Sequence, residues 1–132
     1  MSAFVLDTNP VLYYAWQMDR RLGRKARAAF AAFDAGETTL YVPAPVVQET
    51  WYLHQAQRLG ATTPRGFWEA FARPELIHAD LTQEDIFVAS ELRWGHRDSF
   101  DRLIVAIAHR LELPLITGDQ EITRWGGVDV VW

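Results

Sequence analysis

Apolar residues in this chain fall into short runs separated by stretches of helical spacing. Residues 3–6 form an apolar run that ends at an acid, and its length and β-branched Val5 predict a buried strand. Pro10 suits the first turn of a helix, and Val11, Leu12, Ala15 and Trp16 follow at helical spacing. Between positions 22 and 35, Leu22, Ala26, Ala29, Phe30 and Phe33 recur every three or four residues, which predicts an amphipathic helix stopped by Gly36. A strand over 39–42 follows, then a helix from Pro43 or Pro45 to about Leu59, ended by Gly60. Thr63 and Pro64 open a shorter helix through Ala72, and a third strand lies within 74–79. Thr82 caps a helix to about Arg93, and Ser99 opens another through Leu111. Residues 113–117 read as a strand, Asp119 begins a helical turn, and 128–131 is a last strand. Strands alternating with helices predict an α/β fold, with a central parallel sheet of four or five strands and helices on both faces. In that architecture ligands bind beyond the carboxyl ends of the strands.

Composition narrows the reading. The chain has 132 residues, 49% hydrophobic, with no repeat or low-complexity linker, so the expectation is a single domain over 1–132. Its 13 basic and 17 acidic residues give a net charge of -4, so no global positive field holds polyanions and any nucleic-acid contact must be local. The absence of cysteine excludes disulfide scaffolds, thiolate metal sites and cysteine nucleophiles, and is compatible with a reducing compartment. Asp7 interrupts the N-terminal apolar run before signal-peptide length, and no run is long enough to span a bilayer, so the expectation is a cytoplasmic protein without a membrane partner.

The acids carry the chemistry. Asp7 directly follows the first strand and Asp119 comes two residues after the strand over 113–117, which puts both at the carboxyl edge of the sheet. Glu49, three residues after Val46 and four before Leu53, projects from an apolar stripe, and Asp101 does the same ahead of Ile104 and Ala108. An acid on a core-facing stripe is costly unless it is paired, protonated or bound to metal. Each acid taken alone has a bland explanation, as a helix cap or the partner of an arginine. The four together favour one shared acidic pocket. Asp98, one turn before Asp101, reads as a helix cap or a supporting residue. Such a pocket repels itself until a hard divalent cation, Mg²⁺ or Mn²⁺, joins the carboxylates, and the chemistry suggested is metal-activated water attacking a phosphodiester.

On these residues the sequence resembles the PIN-domain ribonucleases, particularly the VapC-type toxins of toxin–antitoxin pairs. The resemblance covers essentially the whole chain and rests on Val5-Leu6-Asp7-Thr8-Asn9, on Glu49 within Val46-Val47-Gln48-Glu49-Thr50, on His96-Arg97-Asp98-Ser99-Phe100-Asp101-Arg102-Leu103-Ile104-Val105-Ala106, and on Leu113-Pro114-Leu115-Ile116-Thr117-Gly118-Asp119. It implies a catalytic and metal-holding set of Asp7, Glu49, Asp101 and Asp119, with Asn9 and Thr117 as nearby polar support. It also implies a PIN-like α/β/α sandwich, Mg²⁺- or Mn²⁺-dependent endonucleolytic cleavage of single-stranded or loop RNA, a homodimer, and inhibition by a cognate antitoxin protein. Gly118 occupies the variable position of the Thr-x-Asp turn, where flexibility is its expected contribution.

Other constellations are weaker. Asp7-Thr8-Asn9-Pro10-Val11 resembles the opening of haloacid-dehalogenase phosphatases, but their second aspartate would fall at Asn9, which removes the general acid. Lys25 is the only lysine, so no P-loop exists, and His54, His78, His96 and His109 lack zinc-hydrolase spacing and read as structural or surface residues, His96 least so because it adjoins the acids. Arg20, Arg21, Arg24, Lys25 and Arg27 form the one basic cluster, either a solvated face or an RNA-backbone contact. The tryptophans, among them Trp51, Trp68 and Trp94 in expected helices, read as packing residues, and the run 11–16 is apolar enough to contribute to a dimer or antitoxin groove. The competing reading from another class is a non-catalytic RNA- or protein-binding module that keeps the fold.

Overall fold

The computed structural model describes residues 2–132. The chain runs β1 (Ser2–Leu6), α1 (Thr8–Ala15), a 3-10 turn (Asp19–Arg21), α2 (Arg24–Asp34), β2 (Thr38–Pro43), α3 (Ala44–Gln55) and α4 (Pro64–Glu69). It continues through β3 (Leu76–Ala79), α5 (Gln83–Glu91), α6 (Ser99–Leu111), β4 (Leu115–Ile116), α7 (Gln120–Trp125) and β5 (Val130–Val131). The strands form one five-stranded sheet in the order β3-β2-β1-β4-β5, parallel throughout, with helices on both faces. Successive strands first step outward from β1 to β2 and β3, then return to its other side at β4, where Leu6 registers with Ile116. The order therefore reverses between β1 and β4. A crevice at the carboxyl ends of two such strands is where open parallel sheets bind ligands.

Helix α6 backs this crevice. Its residues Ile104, Val105, Ala106, Ile107 and Ala108 are all buried, more than one amphipathic face supplies, so the helix is enclosed rather than laid on the surface. Asp98 caps it and Glu112 ends it in a left-handed conformation. Among the described residues no helix is long and apolar enough to cross a membrane.

Several expected boundaries move for identifiable reasons. Helix α3 stops at Gln55 rather than near Leu59, because Gln57 takes a left-handed φ of 58° and the amides of Gln57 and Arg58 bond back to the carbonyls of His54 and Leu53. Leu59 then enters the core from the loop, and Gly60 lies beyond the true stop. Leu22 is likewise buried ahead of α2 rather than inside it. Trp94 belongs to the connection between α5 and α6, not to a helix, and Trp51 is 49% exposed, whereas Trp68 is packed as expected. At Gly118 a Cβ would stand 2.7 Å from the Trp132 ring, so glycine admits that indole against the β4–α7 turn.

Candidate active site

Asp7 leaves the end of β1 and caps α1, its Oδ1 accepting the Thr8 amide at 2.8 Å. Its Oδ2 accepts the Thr117 hydroxyl at 2.7 Å in a buried bond that spans the crevice from β1 to the end of β4. The same Thr117 Oγ1 accepts the Asp119 amide at 3.0 Å, and Asp119 Oδ1 in turn caps α7 through the amides of Glu121 and Ile122. From α3, Glu49 Oε1 accepts the hydroxyl of buried Thr8 at 2.6 Å. From the first turn of α6, Asp101 Oδ2 meets His96 Nε2 at 2.7 Å. Asp98 Oδ1 accepts the amides of Phe100 and Asp101, so it caps α6 while remaining beside the acids. Potential ligand atoms of His96, Asp98 and Asp101 lie within 4.8 Å of one another.

These acids feel one another's charge. Burial, with the charges of Asp7, Asp101 and Asp98 adding to it, pushes Glu49 up to about 7 against the opposing bond from Thr8. Burial likewise raises Asp101 to about 6, the His96 bond opposing it and Asp7, Asp98 and Asp119 reinforcing it. Asp7 is raised chiefly by burial, against the bonds from Thr117 and Thr8, with Asp119 and Asp98 adding repulsion. The bond to Asp101 raises His96. Among the described residues no lysine or arginine forms a salt bridge with Asp7, Glu49, Asp98, Asp101 or Asp119. The nearest guanidinium on α6, Arg102, is spent on the backbone carbonyls of Ala89, Leu92, Trp94 and His96. Carboxylates that repel one another with no lysine or arginine paired to them, and with one imidazole bonded to Asp101, could hold a hard divalent cation such as Mg²⁺ or Mn²⁺.

The four expected acids come from four different segments and influence one another electrostatically, and Thr117 bonds Asp7 and the Asp119 amide. Asn9 is exposed beside Thr8 and borders an adjacent groove. The basic cluster is not one face: Arg20 and Arg21 lie on the 3-10 turn, Arg24, Lys25 and Arg27 on α2, all exposed, and of the five Arg21 borders the groove that contains Glu49. In the run 11–16, Val11 and Leu12 are buried, Tyr13, Tyr14 and Ala15 half-buried, and Trp16 exposed.

Three contributors escape a reading by pattern. Thr8 orients Glu49 through its hydroxyl. His96 is held on Asp101 by a stack in which Trp94 lies 4.6 Å from the imidazole and 4.5 Å from Trp125. Arg102 ties down the connection that carries both. The only sequence signal for His96 was its adjacency to the acidic stretch.

Comparison with known proteins bears on the fold and the family. The PIN domain family matches residues 4–128. No curated protein sequence matches the chain. Among solved structures, VapBC2 from Rickettsia felis bound to a promoter DNA fragment is 17% identical with a TM-score of 0.70, over 97% of this chain and 96% of that one. DNA-bound VapBC from Salmonella typhimurium is 18% identical with a TM-score of 0.69, over 98% and 97%. VapC20 from Mycobacterium tuberculosis, described as a sarcin–ricin loop cleaving toxin, is 17% identical with a TM-score of 0.67, over 99% and 100%. At these identities the likeness is one of fold.

Proposed function

Because this chain belongs to the PIN-domain family, we propose that it is a metal-dependent endoribonuclease, a single catalytic domain over residues 1–132 that hydrolyses RNA phosphodiester bonds. The observation that carries the reading is the convergence of Asp7, Glu49, Asp101 and Asp119 without any arginine or lysine to neutralise them. Asp7 and Asp101 would hold Mg²⁺ or Mn²⁺ most directly, with Glu49 and Asp119 completing the set. A bound divalent cation supplies Lewis acidity at the phosphate and water acidic enough to attack near neutral pH.

The chain's own groups prepare that chemistry. Thr117 Oγ1 and the Thr8 amide each bond one oxygen of Asp7, so its carboxylate plane is set before any substrate arrives. Thr8 Oγ1 occupies Glu49 Oε1 alone. Glu49 Oε2 is thus the oxygen left to face a cation or a water held by one. His96 holds Asp101 by one oxygen in the same manner.

A toxin role with a cognate antitoxin as protein partner is supported by the complexes in which the similar folds occur, two of them described as VapBC and one as a toxin–antitoxin complex. RNA rather than DNA as substrate is supported by the description of VapC20. The test is hydrolysis of a structured RNA with Mg²⁺ or Mn²⁺, with EDTA, and by Asp101→Asn. Cleavage should require the cation and fall to background in the variant while circular dichroism stays native. No cleavage with either cation, or undiminished cleavage by Asp101→Asn, overturns the reading in favour of a non-catalytic module.

A further inference from the structure

The turn from β4 into α7 presents Thr117 and Asp119 with little support of its own. Downstream, Asp119 Oδ1 caps α7, which is anchored by fully buried Ile122. Upstream, the Asp119 amide is bonded to Thr117 Oγ1, and the Thr117 amide donates to the Val131 carbonyl at 3.2 Å. Gly118 stands between them with no Cβ to restrict its own φ and ψ. The sheet adds little at this end, because β4 is two residues long and its outer neighbour β5 is also two residues long.

The Trp132 indole supplies the missing restriction. It follows directly on β5 and lies on the Gly118 backbone, where a Cβ would meet Cε2 and Cζ2 at 2.7 Å and Cη2 at 3.0 Å. The other edge of the same ring lies on Gly23, where a Cβ would meet Cδ1 at 2.8 Å and Cγ at 2.9 Å. Neither glycine has a left-handed φ, Gly23 standing at -66°, so it is the approach of the ring and not the backbone conformation that requires glycine at both positions. The Trp132 carbonyl accepts the Lys25 amide at 3.1 Å, which ties residue 132 to the first turn of α2. One edge of the indole is therefore anchored at a helix start, and the other bears on the segment that carries two groups of the acidic site.

We propose that Trp132 is a positioning residue for the candidate metal centre, its benzo ring fixing the Gly118 backbone so that Thr117 and Asp119 keep their places relative to Asp7. The inference rests on the ribonuclease reading and adds to it a residue that acts through the backbone of the turn and not as a ligand.

The experiment measures Mn²⁺ affinity of the full chain by electron paramagnetic resonance of the free ion, with amide hydrogen exchange in EDTA and urea titration alongside. Trp132→Phe keeps a ring at the Gly23 edge but lacks the outer benzo atoms, and should weaken Mn²⁺ binding about tenfold, as changes behind metal ligands do. Its Asp119 amide should exchange faster than wild type without metal, while that of Ile107, buried in α6, is unchanged. Gly118→Ala sets a Cβ against the ring and should weaken Mn²⁺ binding by a similar factor. Because both changes act through one contact, Gly118→Ala/Trp132→Leu should lose about tenfold, not the product of about a hundredfold expected of independent sites. Phe71→Leu, which trims a ring packed on Tyr14 and Phe67, should lower the urea midpoint and leave Mn²⁺ affinity unchanged. Unchanged Mn²⁺ affinity in either single variant, an Asp119 amide no faster in Trp132→Phe, multiplied losses in the double variant, or an equal loss of affinity in Phe71→Leu overturns the positioning role. Where wild-type protein binds Mn²⁺ and cleaves RNA alongside any of these results, this inference falls alone. Wild-type protein that neither binds Mn²⁺ nor cleaves RNA removes the ribonuclease reading and this inference with it.

Discussion

Thr117 Oγ1 donates to Asp7 and accepts from the Asp119 amide, so one buried hydroxyl links two acids from strands that meet only at the sheet's reversal point. A methyl in its place keeps the volume but strands both partners. Asp7, already raised by burial, loses the bond that most opposes that shift. Leaving buried polar groups unpaired costs about 1–3 kcal/mol. Thr117→Val should therefore lower stability by about that much in urea titration, and Thr117→Ser, which restores the hydroxyl, should recover most of it. A Thr117→Val midpoint equal to wild type would mean the hydroxyl does not hold the acids. Thr8 is the counterpart at the other acid, since its amide serves Asp7 and its hydroxyl serves Glu49. These two threonines explain how repelling carboxylates keep fixed orientations.

Among the elements, the legible ones were those whose signals are local. Helix α6 occupies Ser99–Leu111 as expected because Asp98 caps it and its apolar residues keep step. Helix α3 was over-extended because its stop is a left-handed glutamine, an unfavourable choice that backbone bonds sustain, rather than the glycine three residues on. The four acids could be proposed from the sequence because strand ends and apolar stripes assign them positions along single elements. His96 was not, because it reaches Asp101 from a connection whose path is set by long-range packing: four carbonyl bonds from Arg102 and an indole stack closed by Trp125. No periodicity records such contacts. Arg102→Lys should expose this dependence, since an ammonium has three donors and cannot match the planar fork. Its amides between Leu92 and His96 should exchange with deuterium faster than wild type while those of Ile104–Ala108 stay protected. Equal protection of the connection in both proteins would show that the tryptophan stack alone suffices.

For the molecule as a whole, the cost of gathering the acids should appear as an inverted pH dependence of stability. Glu49 moves from its usual 4.5 to about 7 on folding, and Asp101 from 3.8 to about 6. Between those values the unfolded chain has released protons that the folded chain keeps, so the unfolded state binds fewer protons and stability falls as pH rises. The contribution is fully present below the ordinary carboxylate range and is lost by about pH 7. His96, raised by Asp101, acts in the same direction, its contribution being lost as pH climbs through its elevated value. Asp85, lowered against its burial by its bonds with Arg110 and Thr82, works the other way, but its window lies below 3.8. In EDTA the melting temperature should thus drop from pH 5 to pH 8. Mg²⁺ should reverse the drop, because a ligand at a hundred times its Kd adds about 2.7 kcal/mol and binds the ionised acids. Glu49→Gln keeps an acceptor for Thr8 yet removes the charge, so it should melt higher than wild type in EDTA at pH 8 and respond less to Mg²⁺. A metal-free melting temperature that climbs between pH 5 and pH 8, or a Mg²⁺ response that Glu49→Gln leaves whole, would separate the acids from any common cation.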